Sequence, residues 1–381
     1  MNAQPSADLL DGPTWGRDVG NVLAVRLDSI GDVLMTTPAV RALRSTPERR
    51  VTMLTSTTGA EVARLVPEID RVLVYDAPWM KASPAHIDAR TDRETIERLR
   101  GERFDAAAIF TVYSQNPQPA AMLCYLADIP RRLAYSREPA YGLLTERLAE
   151  PEPEQLVRHE VQRQLDLVAA VGCRTLDRSL SIRIGRDALE RADAVLDAME
   201  LDRGGPWAVL HPGASAPSRR YPADAFATAA SELSAAFGWQ IVVSGGPGDR
   251  EVVEEVRSRM HTRAFVLPED LDLEELAAVL QRAPLLIANN SGPAHLAAAV
   301  GTPVVDLYAL TNPQHAPWGV QSRVLYRDVP CRFCYASVCP EGHHGCLRDV
   351  PPGEVVSAAL ELAGRPGPRR PQETRHLSRR P

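Results

Sequence analysis

The chain has 381 residues with a formal net charge of −6, and 44% of its residues are hydrophobic, a size typical of two domains or one large α/β unit. The acidic balance excludes an electrostatic basis for nucleic-acid binding. No apolar stretch approaches the ~20 residues of a transmembrane helix, and the N-terminus lacks the basic and apolar regions of a secretory signal. We therefore expect a cytoplasmic protein with at most peripheral membrane contact.

Strands and helices alternate along most of the sequence, which is the pattern of parallel sheets covered by helices. The first series has predicted strands at residues 21–27, 51–56, 71–75 and 106–110 and helices at 33–45 and 94–101. The second series has predicted strands at 207–210, 240–244, 264–267, 285–288 and 304–308 and helices at 222–237, 249–260 and 273–281. Two further helical stretches, 159–171 and 186–199, lie between the series.

The alternation predicts two Rossmann-like parallel-sheet domains, over residues 21–185 and 186–363. A flexible N-terminus (1–20) precedes them, and a disordered Pro- and Arg-rich tail (364–381) follows. Ligands of such sheets bind at the carboxyl ends of the strands, so the cleft between the domains is the expected site.

The first strand runs directly into the sequence RLDSIGD, which ends at Asp32. Gly31 permits a tight turn or the close approach of a ligand. Asp32 falls in the first turn of the next helix, where the helix dipole favours an ionised carboxylate. Such a carboxylate can accept a proton from a sugar hydroxyl. It can equally do no more than cap its helix, as Asp28 or Ser29 could.

Two loops of the second series have the composition of phosphate-binding and ribose-binding segments. The sequence HPGAS (211–215) follows a strand and lets backbone N–H groups approach phosphate oxygens, and the pair Arg219-Arg220 offers cations to a diphosphate, although paired arginines commonly lie in solvent. The sequence SGGPGDRE (244–251) ends another strand. A carboxylate there could hold ribose hydroxyls, or Asp249 could merely cap the following helix.

The sequence LLIANNSGPAHLAAAVGTPVVDL (285–307) predicts a strand, a small polar turn, and a helix that begins at Pro293 and ends at Gly301. Free N–H groups and the helix dipole make this arrangement an anion site, which His295 would face. The alternative is an ordinary capped βαβ connection. The run TNPQHAPWG (311–319) follows the next strand end and is expected to face the cleft, as a ligand contact or as a plain loop.

Four of these segments together, RLDSIGDVLMTTPAVRALR, HPGASAPSRRYPADAFA, VVSGGPGDRE and NNSGPAHLAAAVGTPVVDLY, resemble glycosyltransferase family 9, the ADP-heptose:lipopolysaccharide heptosyltransferases. The resemblance covers residues 21–347. It implies a GT-B fold with two Rossmann-like domains facing across a cleft, the acceptor in the first and the nucleotide-sugar in the second. It also implies an inverting, metal-independent transfer of a heptose or related sugar from an ADP-sugar, which is a substrate and not a cofactor.

The resemblance assigns Asp32 as the catalytic base, with Ser29 and Gly31 on the acceptor side. For the donor it implies the following contacts: Ser215 and Arg219 for the diphosphate, Glu251 or else Asp249 for the ribose, and Asn290, Ser291, Gly292 and His295 in the donor-binding turn. Two positions depart from the family pattern, since Arg219 replaces a Lys and Asn290 replaces an Asp. Without a metal, the charge of the leaving ADP must be met by cations, N–H groups and a helix N-terminus.

Four cysteines crowd into residues 331–346 with the spacing C-x₂-C-x₄-C-x₆-C, next to two histidines: Cys331, Cys334, Cys339, Cys346, His343 and His344. Such a set could hold zinc or an iron–sulfur cluster. It could also be a loop of reduced thiols, or of disulfides outside the cell. Only the first pair fits a zinc knuckle, so no metal is assigned.

Two other classes of protein remain open: a nucleotide-sugar epimerase or hydrolase of the same fold, and a non-catalytic nucleotide-sugar binding protein. Loss of activity on removing the acceptor would argue against the first class. Asp32 argues against the second, since a binding protein has no use for a base across the cleft. The acceptor hydroxyl could belong to a glycolipid, a polysaccharide or a small molecule.

Overall fold

The computed structural model describes residues 14–81 and 88–364. Of the predicted flexible N-terminus, Trp15 is buried at 3% exposure, and its carbonyl accepts a hydrogen bond of 2.7 Å from Arg49. The predicted disordered tail lies outside the described residues from 365 onward.

The first half of the chain forms a six-stranded parallel sheet with the order β3-β2-β1-β4-β5-β6. Its strands are β1 (Asn21–Arg26), β2 (Arg50–Thr55), β3 (Arg71–Val74), β4 (Ala106–Ile109), β5 (Arg131–Ser136) and β6 (Glu146–Ala149). The helices of this half are α1 (Ile30–Leu43), α2 (Thr57–Ala63), α3 (Arg90–Glu102), α4 (Gln118–Leu126) and α5 (Glu160–Ala169).

The second half repeats the architecture, with the strand order β12-β11-β10-β7-β8-β9. Its strands are β7 (Trp207–His211), β8 (Gln240–Val243), β9 (Ala264–Val266), β10 (Leu286–Asn289), β11 (Val304–Leu307) and β12 (Ser322–Leu325). Its helices are α6 (Arg186–Ala198), α7 (Ala223–Phe237), α8 (Arg250–Arg259), α9 (Leu273–Arg282), α10 (Gly292–Val300), α11 (Gly345–Arg348) and α12 (Pro352–Leu362).

Both sheets therefore have Rossmann strand order, which confirms the prediction of two parallel-sheet units. In each, the order reverses beside the first strand, between β1 and β4 and between β7 and β10, where a crevice opens at the carboxyl ends of the strands. Of the two helices that link the series, α5 packs against α1 and α6 packs against α9. The sequence missed β5, β6 and β12, which carry arginines where buried parallel strands are usually apolar.

Candidate functional site

The N-termini of two helices, one from each half, lie against each other across the cleft. Helix α1 begins directly after β1, and α10 begins directly after β10. A Cβ atom added to Gly31 would lie 2.4 Å from Cδ2 of His295, and one added to Gly292 would lie 3.5 Å from the side chain of Ile30. The imidazole thus occupies space that a side chain at position 31 would need. Both helix dipoles present their positive ends to the same region.

The buried guanidinium of Arg26, at the end of β1, holds three carboxylates. Its Nε lies 2.9 Å from Oδ2 of Asp28, Nη2 donates to Oδ1 of Asp32 at 2.8 Å, and Nη1 donates to Oε1 of Glu160 at 2.9 Å. The side chain of Arg26 is fully buried, as is that of Glu160. One cation therefore fixes the positions of three anions and leaves the group with an excess of negative charge.

Asp32 keeps a partly open carboxylate in this group, with 22% of its side chain exposed. Its Oδ2 accepts a hydrogen bond of 3.1 Å from Oγ of Ser29. Burial opposes ionisation of Asp32, but the charge of Arg26 outweighs it and lowers the pKa of Asp32 to about 2. Asp32 is therefore ionised at neutral pH and able to accept a proton.

Asp28 behaves differently, although it pairs with the same guanidinium. Burial raises its pKa to about 6, and the charge of Asp32 adds to the effect, while Arg26 opposes it. Its Oδ1 accepts a hydrogen bond of 2.6 Å from Nε2 of Gln115. Asp28 is thus held from two sides and is the less acidic of the two carboxyls.

A cavity of about 770 Å³ opens in front of Asp32, at the carboxyl ends of the first sheet. Ser29 and Asp32 line it, together with the starts of the segments that follow β2, β3 and β4. Gly31, which the sequence placed on the acceptor side, is instead covered by His295. Asp32 and Ser29 are thus the predicted acceptor-side residues that face this space.

On and after three neighbouring strands of the second half, six buried polar atoms have no hydrogen-bond partner among the described residues: Ser218 Oγ, Arg219 Nε, His295 Nδ1, Asp306 Oδ1, Gln314 Oε1 and His315 Nε2. They lie on the segments that follow β7, β10 and β11 and in β11 itself. Buried polar groups are nearly always hydrogen-bonded, so these atoms are available to a polar ligand.

The two histidines of this group are neutral at pH 7. Burial lowers the pKa of His295 to about 3, with the nearby His315 adding to the effect. Burial also lowers the pKa of His315. The charge of Arg219 also lowers the pKa of both imidazoles. The predicted cation at position 219 and the predicted His295 therefore share one electrostatic environment, although they come from different loops.

Asn290, predicted to contact the donor, is buried at 2% exposure and bonded within the protein. Its Nδ2 donates to Oδ2 of Asp306 at 3.2 Å and to the carbonyl of His315 at 3.0 Å. Burial raises the pKa of Asp306 to about 7. The amide at position 290 thus joins the turn after β10 to the neighbouring segments, whereas Ser291 and Gly292 stay partly exposed at the start of α10.

The predicted ribose contacts separate in the structure. Glu251 lies exposed on α8 and lines a separate opening beside Arg220 and Arg348. Asp249 turns the other way: its Oδ2 accepts from the backbone N–H of Gly246 at 3.1 Å and lies 3.7 Å from Nε2 of His211. Of the two alternatives, Asp249 faces the loop after β7, on which Ser215 is exposed.

A second cavity between the two halves has a volume of about 560 Å³. Residues 244–247 line it with a glycine-rich loop, and leucines of the segment 267–276 give it an apolar wall. The first half contributes Glu61 of α2 and Arg64, which follows that helix. An apolar slot beside a glycine-rich loop has the character of a nucleobase site. Sequence reasoning missed α2 here because nothing local marks its side chains as neighbours of β8.

Other functional candidates were missed or only partly seen. His315 lies in the run 311–319 that the sequence expected to face the cleft, but its role was not defined. Arg26 and Asp28 lie in the first motif without an assigned part. Nothing in the sequence marked Glu160 as a functional residue, because it lies in an ordinary amphipathic helix and contacts Arg26 only in the folded chain.

The four cysteines of residues 331–346 line one very small cavity, of about 20 Å³, with His343 and His344. All six cysteines of the chain are free thiols. Among residues 14–81 and 88–364, no group of three or more His, Cys, Asp or Glu side chains is arranged to hold a metal ion. The segment instead contacts the first half: Tyr335 and Tyr113 share a hydrogen bond between their hydroxyls, and Nζ of Lys81 donates to Oγ of Ser337 at 2.6 Å.

Within the part of the chain that the structure describes, no helix is long and apolar enough to cross a membrane.

The sequence and the fold are both similar to those of known proteins. The chain is 23% identical over 360 residues to lipopolysaccharide heptosyltransferase 2 of Escherichia coli, covering 91% of this chain and 96% of that protein. It is 28% identical over 323 residues to lipopolysaccharide heptosyltransferase 1 of Pseudomonas aeruginosa, covering 84% and 87%. A family 9 glycosyltransferase of Veillonella parvula superposes with a TM-score of 0.74 at 24% identity, covering 92% and 99%.

The structure of E. coli ADP-heptose lipopolysaccharide heptosyltransferase II superposes with a TM-score of 0.69 at 21% identity, covering 90% of this chain and 98% of that one. These likenesses confirm the predicted GT-B fold. Residues 93–344 match the family model described as glycosyltransferase family 9 (heptosyltransferase). Because that match spans more than half of the sequence, the chain belongs to glycosyltransferase family 9, the heptosyltransferase family, and is a glycosyltransferase.

Proposed function

We propose that this protein transfers a heptose, or a related sugar, from an ADP-sugar to an acceptor hydroxyl with inversion at the anomeric carbon and without a metal ion. The observation that carries the proposal is the position of Asp32. Its ionised carboxylate lies at the wall of the larger cavity, while Arg219 and His295 in the second half each have an unpartnered nitrogen that suits a diphosphate.

The first half, residues 21–185, would bind the acceptor, and the second half, residues 186–363, the donor. The diphosphate would lie between the loop after β7 and the N-terminus of α10, where N–H groups and the helix dipole favour an anion. Arg219 supplies the cation, and His295 supplies a neutral imidazole with a free nitrogen. Asp249 is better placed than Glu251 to reach the ribose, since it faces the loop after β7.

In the reaction, the acceptor oxygen attacks the anomeric carbon as its proton moves to Asp32. The bond from that carbon to the phosphate oxygen breaks, and ADP leaves with the electron pair. The growing charge on ADP is met by Arg219 and by the α10 N-terminus. Arg26 and Ser29 hold the carboxylate of Asp32 in one orientation, which places the base before the acceptor arrives.

The choice of donor is supported by the relatives. Structures of an E. coli heptosyltransferase with ADP and with ADP-2-deoxy-2-fluoro heptose superpose on this chain with TM-scores of 0.58 and 0.59, at 22% identity. Their ligands are ADP compounds, and the named relatives act on lipopolysaccharide. For this chain, the acceptor is a hydroxyl of a glycolipid, a polysaccharide or a small molecule.

Calorimetric titration of the purified protein with ADP, UDP, GDP and ADP-heptose tests the proposal. We expect selective binding of ADP and ADP-heptose, and release of ADP from ADP-heptose that depends on an added acceptor. Preference for UDP or GDP would contradict the donor assignment. Rapid release of free sugar or of an isomerised donor without any acceptor would instead support a hydrolase or an epimerase.

A further inference from the structure

The cavity in front of Asp32 has an unusual charge for a site that receives a glycosyl acceptor. The described residues that line it include three carboxylates, Asp28, Asp32 and Asp76, and a single cation, Lys81. Nζ of Lys81 already donates to Ser337 across the cleft. The described part of the lining therefore carries more negative than positive charge.

The arginines nearest to this wall do not reverse its charge. Arg26 lies behind the wall with its side chain fully buried, and its guanidinium is surrounded by three carboxylates. Arg137 lies in the adjoining pocket, where Nη1 donates to the carbonyl of Tyr113 at 2.6 Å and Nη2 donates to the carbonyl of Glu152. The charge of Arg26 is thus outweighed by its three carboxylate partners. Arg137 shares its pocket with Glu138 and Glu150, and its Nη2 lies 4.0 Å from Oε2 of Glu154.

The remaining lining residues suit a ligand with many hydroxyl groups. Half of them carry neutral hydroxyl or amide groups, among them Ser56, Thr57, Thr58, Ser114, Gln115 and Asn116, and the other half are apolar. Such groups both donate and accept hydrogen bonds, as sugar hydroxyls do. The indole of Trp79 is 37% exposed at the cavity, and the ring of Tyr75 supports it edge-on at 5.8 Å. An exposed aromatic face beside polar groups binds ligands that are apolar on one side and polar on the other.

We propose that this cavity binds the acceptor through an uncharged, hydroxyl-rich sugar unit, and that it discriminates against units carrying a carboxylate or phosphate beside the reacting hydroxyl. The inference rests on the proposed function, since Asp32 marks where that hydroxyl reacts. The repulsion would come chiefly from Asp32 and Asp76. Asp76 is held toward the cavity by Thr57, whose N–H and Oγ1 donate to it at 2.8 and 2.6 Å.

Saturation-transfer NMR on the full chain without donor tests this, with methyl β-glucoside and methyl β-glucuronide as matched neutral and anionic probes. We expect the glucoside to bind at least about tenfold more tightly at low salt, because like charges within a few ångströms repel strongly near a protein surface. The difference should narrow at high salt and in Asp76→Asn. Asp187→Asn, at an exposed position of α6 in the other half, should leave the difference in binding unchanged.

Trp79→Ala should abolish the glucoside signal, which would locate the probe in this cavity. Undetectable glucoside binding, or glucuronide binding that is as tight, would overturn the inference. If Asp76→Asn does not fold, the salt dependence of glucoside and glucuronide binding to the unaltered protein still tests the inference. ADP titration is a separate readout, so loss of the ADP assignment and loss of the acceptor assignment are distinguishable.

Discussion

Asp32→Asn is the substitution that most directly tests the role of the carboxylate in the cleft. The change removes the negative charge and the capacity to accept a proton but keeps the size of the side chain. The amide oxygen can still accept from Nη2 of Arg26, and the cation retains Asp28 and Glu160 as partners. The geometry of the site should therefore survive while the proposed base is lost.

The expected loss of activity follows from what a positioned base contributes. General base catalysis is worth about 10²- to 10⁴-fold in rate, so we expect transfer to fall by that factor. The expected loss of stability follows from the pKa of Asp32, which is lowered to about 2 from its ordinary value of 3.8. That difference corresponds to about 2 kcal/mol of folding free energy.

This loss of folding free energy is an upper value for Asp32→Asn, because removing the charge of Asp32 also relieves its repulsion of Asp28. Since the pKa of Asp32 is lowered in the folded state, the stabilisation is present at neutral pH and is lost as pH falls through the window between the unfolded and folded values. The difference in free energy of unfolding between Asp32→Asn and the unaltered protein should therefore become smaller below about pH 4.

The assay is ADP release from ADP-heptose with an acceptor, alongside calorimetric titration with ADP and thermal denaturation. Asp187→Asn is a matched control, since Asp187 also lies in the first turn of a helix but is exposed on α6. Transfer by Asp32→Asn within tenfold of the unaltered protein would refute the base assignment. Equal loss of ADP binding and transfer would show that the residue acts on the donor instead.

Three further substitutions probe the donor half of the cleft and the contact between α1 and His295. Arg219→Ala should weaken ADP binding by about 10- to 100-fold, as expected for the loss of charge-assisted hydrogen bonds, measured by calorimetry. Gly31→Ala should lower transfer, because a Cβ there would lie 2.4 Å from the ring of His295. Asp306→Asn should be more stable than the unaltered protein at about pH 8, and this gain in stability should be smaller at about pH 5. The reason is that the raised pKa of the buried carboxyl penalises folding progressively as pH rises from the pKa of the unfolded chain toward about 7. Denaturant unfolding at both pH values measures the difference.

Matched changes elsewhere make these outcomes interpretable. Arg259→Ala removes an arginine from the exposed end of α8 and should leave ADP binding unchanged. Gly101→Ala lies in α3 with nothing near its added Cβ and should not affect transfer. Unaltered ADP affinity in Arg219→Ala, full activity in Gly31→Ala, or an effect of Asp306→Asn that does not vary with pH would each contradict the corresponding argument.

The fold could be predicted to the extent that buried segments are apolar. Strands such as β1 and β10 are short hydrophobic runs that end in Gly, Ser or Asp, and both the runs and their turns are visible in the sequence. Strand β5 was missed because it opens with two arginines, and Arg132 is nevertheless 7% exposed. Its guanidinium is hydrogen-bonded to the carbonyls of Leu143 and Gly142, partners that local sequence cannot show.

The site could be predicted where a motif places a residue at the carboxyl end of a central strand. Asp32 and His295 satisfy that condition, since each stands in the first turns of a helix that follows such a strand. Asn290 shows the limit. It occupies the right position in the turn, but its amide is turned toward Asp306, a residue of the neighbouring strand that comes 16 positions later. Glu251 shows a similar limit, because its direction on α8 depends on where that helix begins.

The arrangement of charge explains how a carboxylate with so low a pKa can serve as a base in the proposed reaction. In the free protein, the nearby cation keeps Asp32 ionised and holds its position, at the cost of proton affinity. A bound ADP-sugar brings negative charge to the facing half of the cleft, which raises the proton affinity of the carboxylate. The acceptor hydroxyl also becomes more acidic as its oxygen bonds to the anomeric carbon. Proton transfer to Asp32 is therefore favoured only while the glycosidic bond is forming, which limits unproductive protonation of the base before the donor is in place.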